Sequence, residues 1–294
     1  VSTLLTIAVT TQLTETEINS VLRLLADVEA VDQVPALNEA ALLQLRRRHP
    51  TTEHLLVSED EELVGYAQLE SGPVWSAGQL AVSPDHRLEG VGSQLLQRLI
   101  KESSTPLRVW AMGDTPAAQA LARGAGMIRQ RELLIMKRRL DGELPKPVVP
   151  AGIQIRTFAP GQDEPEWLRV NAAAFAQHPE QALIDLDDLE DRMAEPWFDP
   201  NGFFVATQEG VMIGFHWTKQ HQGQIGEVYV LGVAPGAAGQ GLGKALLLTG
   251  LRSLQQRGSR LVKLYVEADH RTAIELYLTY GFATASRDVM YAES

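Results

Sequence analysis

Residues 79–96, QLAVSPDHRLEGVGSQLL, and residues 230–247, VLGVAPGAAGQGLGKALL, align without a gap. Leu80 falls on Leu231, Val82 on Val233, Pro84 on Pro235, Gly90 on Gly241 and Gly92 on Gly243, every pair 151 positions apart. The flanks repeat as well. Upstream, HLLVSEDEELVGYAQLE (54–70) resembles GFFVATQEGVMIGFHWTK (202–219), two strand-like runs around a polar turn. Downstream, VWAMGDTPAAQALARGAGM (109–127) resembles LYVEADHRTAIELYLTYGF (264–282), a strand, a polar loop and a helix that stops before a glycine. A repeat of this length means the same fold built twice. The copies are read as domains of residues 1–140 and 153–294, joined by DGELPKPVVPAG (141–152), whose three prolines and two glycines suit a linker.

Each copy runs through helices, consecutive strands, a glycine elbow, a helix, a strand, another helix and a last strand. This is a mixed α/β order, α+β-like, with a mostly antiparallel sheet flanked by helices, and lacks the regular alternation of a doubly wound sheet. Thr14 and Glu17 form a capping box that opens a helix to about Val28, and Thr115-Pro116 reads as an N-cap with proline at the first helical position. Helical periodicity runs through 165–175, 186–195 and 272–280. Arg46, Arg47 and Arg48 read as the basic end of a solvated helix.

Composition narrows the chemistry. With no cysteine in 294 residues, disulfides and thiolate-bound metals are excluded, and a reducing cytoplasm is the expected setting. No metal site is expected: His216 and His221, five apart in a strand-like stretch, point to opposite faces. A formal charge of −11 argues against a nucleic-acid surface and is compatible with a cationic small substrate. No basic segment followed by a long apolar run is present, so no membrane partner is expected. A monomer is the expected state.

A strand that opens into glycines and then a helix presents unpaired backbone N–H groups at the positive end of a helix dipole, which is an anion site. A P-loop would need glycine where Ala238 stands and Ser or Thr where Ala245 stands; a dinucleotide fingerprint would need glycine in place of Lys244. What remains resembles the Arg/Gln-x-x-Gly-x-Gly/Ala motif of the GNAT acyltransferases. The first copy supplies it from Arg87 to Gly92, and the second, from Ala238 to Gly243, lacks the leading Arg or Gln. The resemblance implies two tandem GNAT domains that wrap the pyrophosphate of acetyl-CoA and pair its pantetheine arm with the preceding strand. The matching positions are Leu231, Gly232 and Val233, then Ala238, Gly239, Gln240, Gly241, Leu242, Gly243 and Lys244, then His270, Arg271, Thr272, Ala273, Ile274 and Glu275. In the first copy they are Leu80, Ala81 and Val82 with Leu88, Glu89, Gly90, Val91, Gly92 and Ser93. Ala238 and His270 depart from the residues usual in the family.

The repeat also says which copy does chemistry. Glu227 aligns with Ser76, and Tyr277 with Ala122, so only the second copy has an acid on the strand and a phenol on the last helix. Amine acetylation by a thioester needs a proton taken from the ammonium and a donor for the departing thiolate. Glu227 suits the first role and Tyr277 the second, with a strand amide near Val233 polarising the thioester carbonyl. Tyr265, Tyr280 and Trp217 are read from residue type alone as core or pocket wall.

The whole chain further resembles a tandem-GNAT branch that acetylates the cysteine amine of cysteinyl-glucosaminyl-inositol, most densely in NAAAFAQHPEQ, AEPWFDPNG, GFHWTK and GEVYVLGV. That resemblance implies Glu39, Glu180, Lys219, Glu227 and Tyr265 as substrate-binding residues, an acceptor cleft between the domains, and a first domain that keeps acetyl-CoA without catalysing. Two alternatives stand beside it: another amine acceptor, or an acetyl-CoA sensor without turnover.

Overall fold

The 151-residue repeat of the sequence is a repeat of the backbone. A computed structural model describes residues 5–46, 49–60, 62–177 and 179–293, with backbone alone at 179 and 180. Arg47 and Arg48 of the basic run lie outside the described residues. The chain forms two compact units, Val1–Leu134 with Ser286–Ser294, and Ile135–Ala285.

In the first unit the order is β1 (Thr6–Thr10), α1 (Glu15–Asp32), α2 (Glu39–Gln44), β2 (Thr52–Glu59), β3 (Glu62–Glu70), β4 (Ser76–Val82), α3 (Val91–Glu102), β5 (Leu107–Ala111), α4 (Pro116–Gly124) and β6 (Met127–Arg139), which runs on into the second unit. Strands β1 to β4 pair antiparallel in sequence order, and β4 pairs parallel with β5. α1 is longer than its sequence signal, but its start is as expected: the Glu17 amide donates to Thr14 Oγ1 while Glu17 Oε2 accepts from the Thr14 amide at 2.7 Å. Thr115 caps α4 with Pro116 at its first position. Period-two alternation along β2 and β3 sends Leu55, Val57, Ala67 and Leu69 to a core under α3, and Leu56 and Tyr66 to a second core under α1 and α2.

The second unit continues with β7 (Ile153–Thr157), α5 (Glu164–Ala174), α6 (Pro179–Ala182), α7 (Leu186–Met193), β8 (Phe203–Gln208), β9 (Val211–His221), β10 (Ile225–Val233), α8 (Leu242–Gln256), β11 (Leu261–Glu267), α9 (Arg271–Thr279) and β12 (Ala283–Glu293). Strands β7 to β10 are antiparallel and β10–β11 parallel, the same pattern as before. One face packs Phe203, Phe215 and Trp217 against Trp167 of α5 and Leu189 of α7, and the other packs against Leu242 and Leu246 of α8. The aligned glycines Gly65 and Gly214 serve the same packing. A Cβ on Gly65 would meet Val91 of α3 at 2.8 Å, and one on Gly214 would meet Leu246 of α8 at 3.1 Å.

Two features differ from the division expected at 140 and 153. From Ser286 onward β12 belongs to the first unit, where it pairs antiparallel with β5, Val289 opposite Ala111 and Ala292 opposite Arg108. Val289 and Tyr291 complete that unit's core, so the strand supplies both backbone partners and apolar surface. Residues 141–152 contain no helix or strand, yet their start is fastened to the second unit. Arg252 donates to the Leu144 carbonyl, Gln255 donates to those of Leu140 and Gly142, and Leu140 and Leu144 are buried. Side chains of α8 thus hold the carbonyls that lie just before the segment's first proline.

Candidate active site

At each elbow the sheet comes apart. The parallel ladder of β10 with β11 runs from Ile225–Leu261 to Val228–Leu264 and stops, next to a bulge between Val228 and Val230. Leu231, Gly232 and Val233 continue paired to β9 alone. The Ala234 amide donates to the Ile213 carbonyl on β9 at 2.9 Å. By strand alternation, Val233 and Leu231 turn their N–H and C=O groups to the side that β11 has left. The first unit repeats this. The β4–β5 ladder ends at Gly78–Val109, and Ser83 donates to Val64 at 2.9 Å, which turns Val82 and Leu80 to the open side. Each elbow thus keeps a short row of strand groups for an extended partner.

The helices that follow start bare. α8 opens at Gly241 (φ 84°) and α3 at Gly90 (φ 89°), neither with a side-chain cap nor an acid in the first turn. α9, which opens after His270, is likewise uncapped and acid-free. By contrast α1 and α7 have capping boxes and acidic first turns. An exposed N-terminus with its donors unclaimed is what an anion requires. The elbows differ in detail. Where Gly239 has φ 79°, the first copy has Leu88 at φ 65°, fully exposed, a conformation that costs a side-chain-bearing residue roughly 1–2 kcal/mol. Arg87, the motif's cation, is held by Asp32 in a two-pronged pair at 2.8 and 2.9 Å. In the second elbow Ala238 offers no side chain, and Lys244 lies with Nζ 5.8 Å from the Tyr280 ring centre.

Beside the parting of β10 and β11, on the sheet face away from α8, a set of polar residues converges. Gly226 packs against Leu254 of α8, so its neighbour Glu227 faces the opposite way. Register places Lys219 on one side of Glu227 and Lys263 on the other. Glu227 is only 6% exposed. Its Oε2 lies 2.6 Å from His221 Nε2 and 3.4 Å from Lys263 Nζ. Burial alone would raise its pKa, but the His221 hydrogen bond with Lys263 and Lys219 nearby outweighs it and keeps the carboxyl below its ordinary range. Burial likewise works against the Lys263 ammonium, and Glu227 beside it reverses the balance upward. Lys263 donates to the Tyr265 hydroxyl at 3.3 Å, and Tyr265, read as wall or core from residue type, is exposed on β11. Lys219 Nζ sits 4.1 Å from the Trp197 ring centre and 5.3 Å from that of Tyr229, an aromatic box that holds its charge by cation–π attraction.

Tyr277 faces inward from α9, 6% exposed, its ring edge-on to Phe282 at 5.7 Å; burial raises its pKa, so it stays a phenol. Tyr280 and Trp217 are buried, as read from residue type. In the first unit the aligned Ser76 is fully buried with its Oγ 2.8 Å from Thr105 Oγ1, and Ala122 is core. Glu39 stands at the first position of α2 in the first unit, and the Glu180 side chain lies outside the described residues. His221, Lys263 and Trp197 were not among the residues expected from sequence. Among the described residues no cluster of metal-ligating side chains occurs, and no helix is long and apolar enough to cross a membrane.

Comparison with known proteins agrees with this geometry. The pattern of the acetyltransferase (GNAT) family matches residues 19–127 and 167–282. A mycothiol acetyltransferase of Streptomyces bingchenggensis is 48% identical over 289 residues, covering 95% of this chain and 94% of its own. That of Streptomyces avermitilis is 50% identical, covering 92% and 90%, and that of Thermomonospora curvata 49%, covering 95% and 94%. Among solved structures, a tandem GNAT protein from the clavulanic acid biosynthesis pathway superposes with a TM-score of 0.75 at 20% identity, covering 98% of both chains. A GCN5-related N-acetyltransferase from Sphaerobacter thermophilus gives 0.73 at 24% identity, covering 97% and 95%. Two elbows built alike, two matches to one family pattern and full-length relatives at about half identity lead to one assignment: the chain belongs to the GNAT acetyltransferase family, among its mycothiol acetyltransferases.

Proposed function

We propose that the second unit transfers the acetyl group of acetyl-CoA to the cysteine amine of cysteinyl-glucosaminyl-inositol, forming mycothiol. The observation that carries this reading is the buried, ionised Glu227 beside the point where β10 and β11 part. The pyrophosphate sits on the amides from Gly239 to Lys244, and the pantetheine arm pairs with Leu231 and Val233. The Val233 amide polarises the thioester carbonyl.

The acceptor is an α-amine, which titrates at about 7.7–8.0 in water. Glu227 draws the ammonium in, while the Lys219 and Lys263 charges around it favour the amine's neutral form. Nitrogen attacks the acetyl carbon, and the nitrogen of the resulting adduct is acidic enough for even a depressed carboxylate to take its proton. The carbon–sulfur bond then breaks. Tyr277, kept protonated by burial, transfers its phenolic proton to the departing thiolate, which leaves as the thiol, and the phenolate is then reprotonated from solvent. The first unit shares the elbow, with Ser76 and Ala122 in place of acid and phenol, which supports acetyl-CoA binding there without transfer.

Side-by-side kinetics with the cysteinyl glycoside, an aminoglycoside and a polyamine test the acceptor. A kcat/KM for the cysteinyl glycoside at least tenfold above the others is expected. A clear preference for another amine overturns the mycothiol reading.

A further inference from the structure

Glu227 is held by one oxygen. Its hydrogen bond with His221 and its ion pair with Lys263 both go to Oε2. An ionised carboxylate only accepts, so His221 presents Nε2–H to it. No hydrogen bond to Oε1 is made among the described residues, and it is not one of the polar atoms sealed from solvent without a partner. The two holding groups come from different strands, β9 and β11, and Lys263 is itself steadied by the Tyr265 hydroxyl. We propose that His221 and Lys263 are positioning residues for acetyl transfer, taking Oε2 between them so that Oε1 is the oxygen presented to the acceptor amine.

This rests on the reading of Glu227 as the base. The N–H bond of the attacking nitrogen breaks, an O–H bond forms at Oε1, and that proton leaves to solvent after the thiol departs. A carboxylate free to rotate would share its two oxygens between solvent and amine; one pinned through Oε2 has a single orientation, and orientation is a large part of such catalysis. The titratable groups that face Glu227 are Lys219 and His221 from β9 and Lys263 from β11. Towards α8 its strand neighbour Gly226 meets Leu254 and Ser259, which bring no charge.

The experiment uses the full chain, with acetyl-CoA saturating and the acceptor varied across pH. Its variants are His221→Leu, His221→Gln, Lys263→Met and Glu227→Gln. His221→Leu and Lys263→Met are expected to lower kcat by about 10- to 100-fold, the range of a misplaced catalytic group, with a smaller change in KM. The ratio of wild-type to variant kcat/KM should widen as the pH falls, because Glu227 without the His221 hydrogen bond or the Lys263 charge takes up a proton sooner. Taking a ratio cancels the acceptor's own ionisation. His221→Gln, which restores an N–H donor, should recover most of kcat. A ratio independent of pH in both variants, or a glutamine no better than leucine, overturns the proposal and leaves the cluster a structural tie. If His221→Leu does not fold by circular dichroism, Lys263→Met and His221→Gln decide the matter alone. Wild-type turnover in Glu227→Gln would instead remove the base assignment, a failure distinguishable from loss of the pinning role.

Discussion

The elbow at Gly90 and the elbow at Gly241 are built from the same backbone and furnished with different side chains. Both have a parted parallel ladder, a left-handed glycine and an uncapped helix start. Only the second has a buried carboxylate on its strand and a phenol on its last helix. Holding an anion through main-chain amides asks only for backbone geometry, and both copies keep that geometry despite Leu88 and Ala238. Under the proposed mechanism proton transfer asks for particular atoms, and the first copy has Ser76 and Ala122 in place of the acid and the phenol.

The comparison breaks most visibly at its chemical end. Glu227→Gln should lower kcat by about 10²–10⁴-fold in steady-state assays, whereas Ser76→Ala, at the aligned position, should change it by no more than about twofold. Equal losses would show that the first unit takes part in the chemistry. Acid stability gives the next largest effect, because each unit buries one histidine in its sheet. His216 is fully buried, and burial lowers its pKa from 6.5 to about 4. Between those values the unfolded chain binds a proton that the folded one does not, so stability falls as the pH falls, by about 3 kcal/mol once pH 4 is reached. Thermal unfolding at pH 4.5 and 7 should show that loss shrinking in His216→Gln. His54, shifted downward by burial and partly restored by Glu17, should contribute in the same direction in the first unit. The smallest effect is at the elbows. Gly241→Ala and Gly90→Ala each place a Cβ at positive φ, costing roughly 1–2 kcal/mol, or about tenfold in affinity for acetyl-CoA. Calorimetry on the full chain should resolve two sites, each weakened by its own substitution.

Such features were legible to the degree that they are local. Gly90 and Gly241 announce left-handed turns, Thr14 and Glu17 announce a helix start, and a fixed spacing of 151 ties the copies together. The acid and the phenol stood out because the repeat offers an aligned position without them. His221 and Lys263 did not, since their nearness to Glu227 depends on how β9 and β11 register against β10, and a one-residue slip would turn each away. Tyr265, which its residue type reads as core or pocket wall, is not core, because its strand position turns it outward beside Lys263. Residues 141–152 carry the composition of a loose connector, and nothing in it foretells Arg252 and Gln255 reaching for its carbonyls.

Strand β12 carries a consequence for how the molecule is made. Residues 286–294 complete a unit whose other members end at Leu134, so about 150 residues must leave the ribosome between the two. At about 5–20 residues per second, β5 waits roughly 8–30 s for its antiparallel neighbour. During that interval the nascent first unit has an open edge and lacks Val289 and Tyr291 from its interior. Its maturation therefore follows the translation of its sister rather than preceding it.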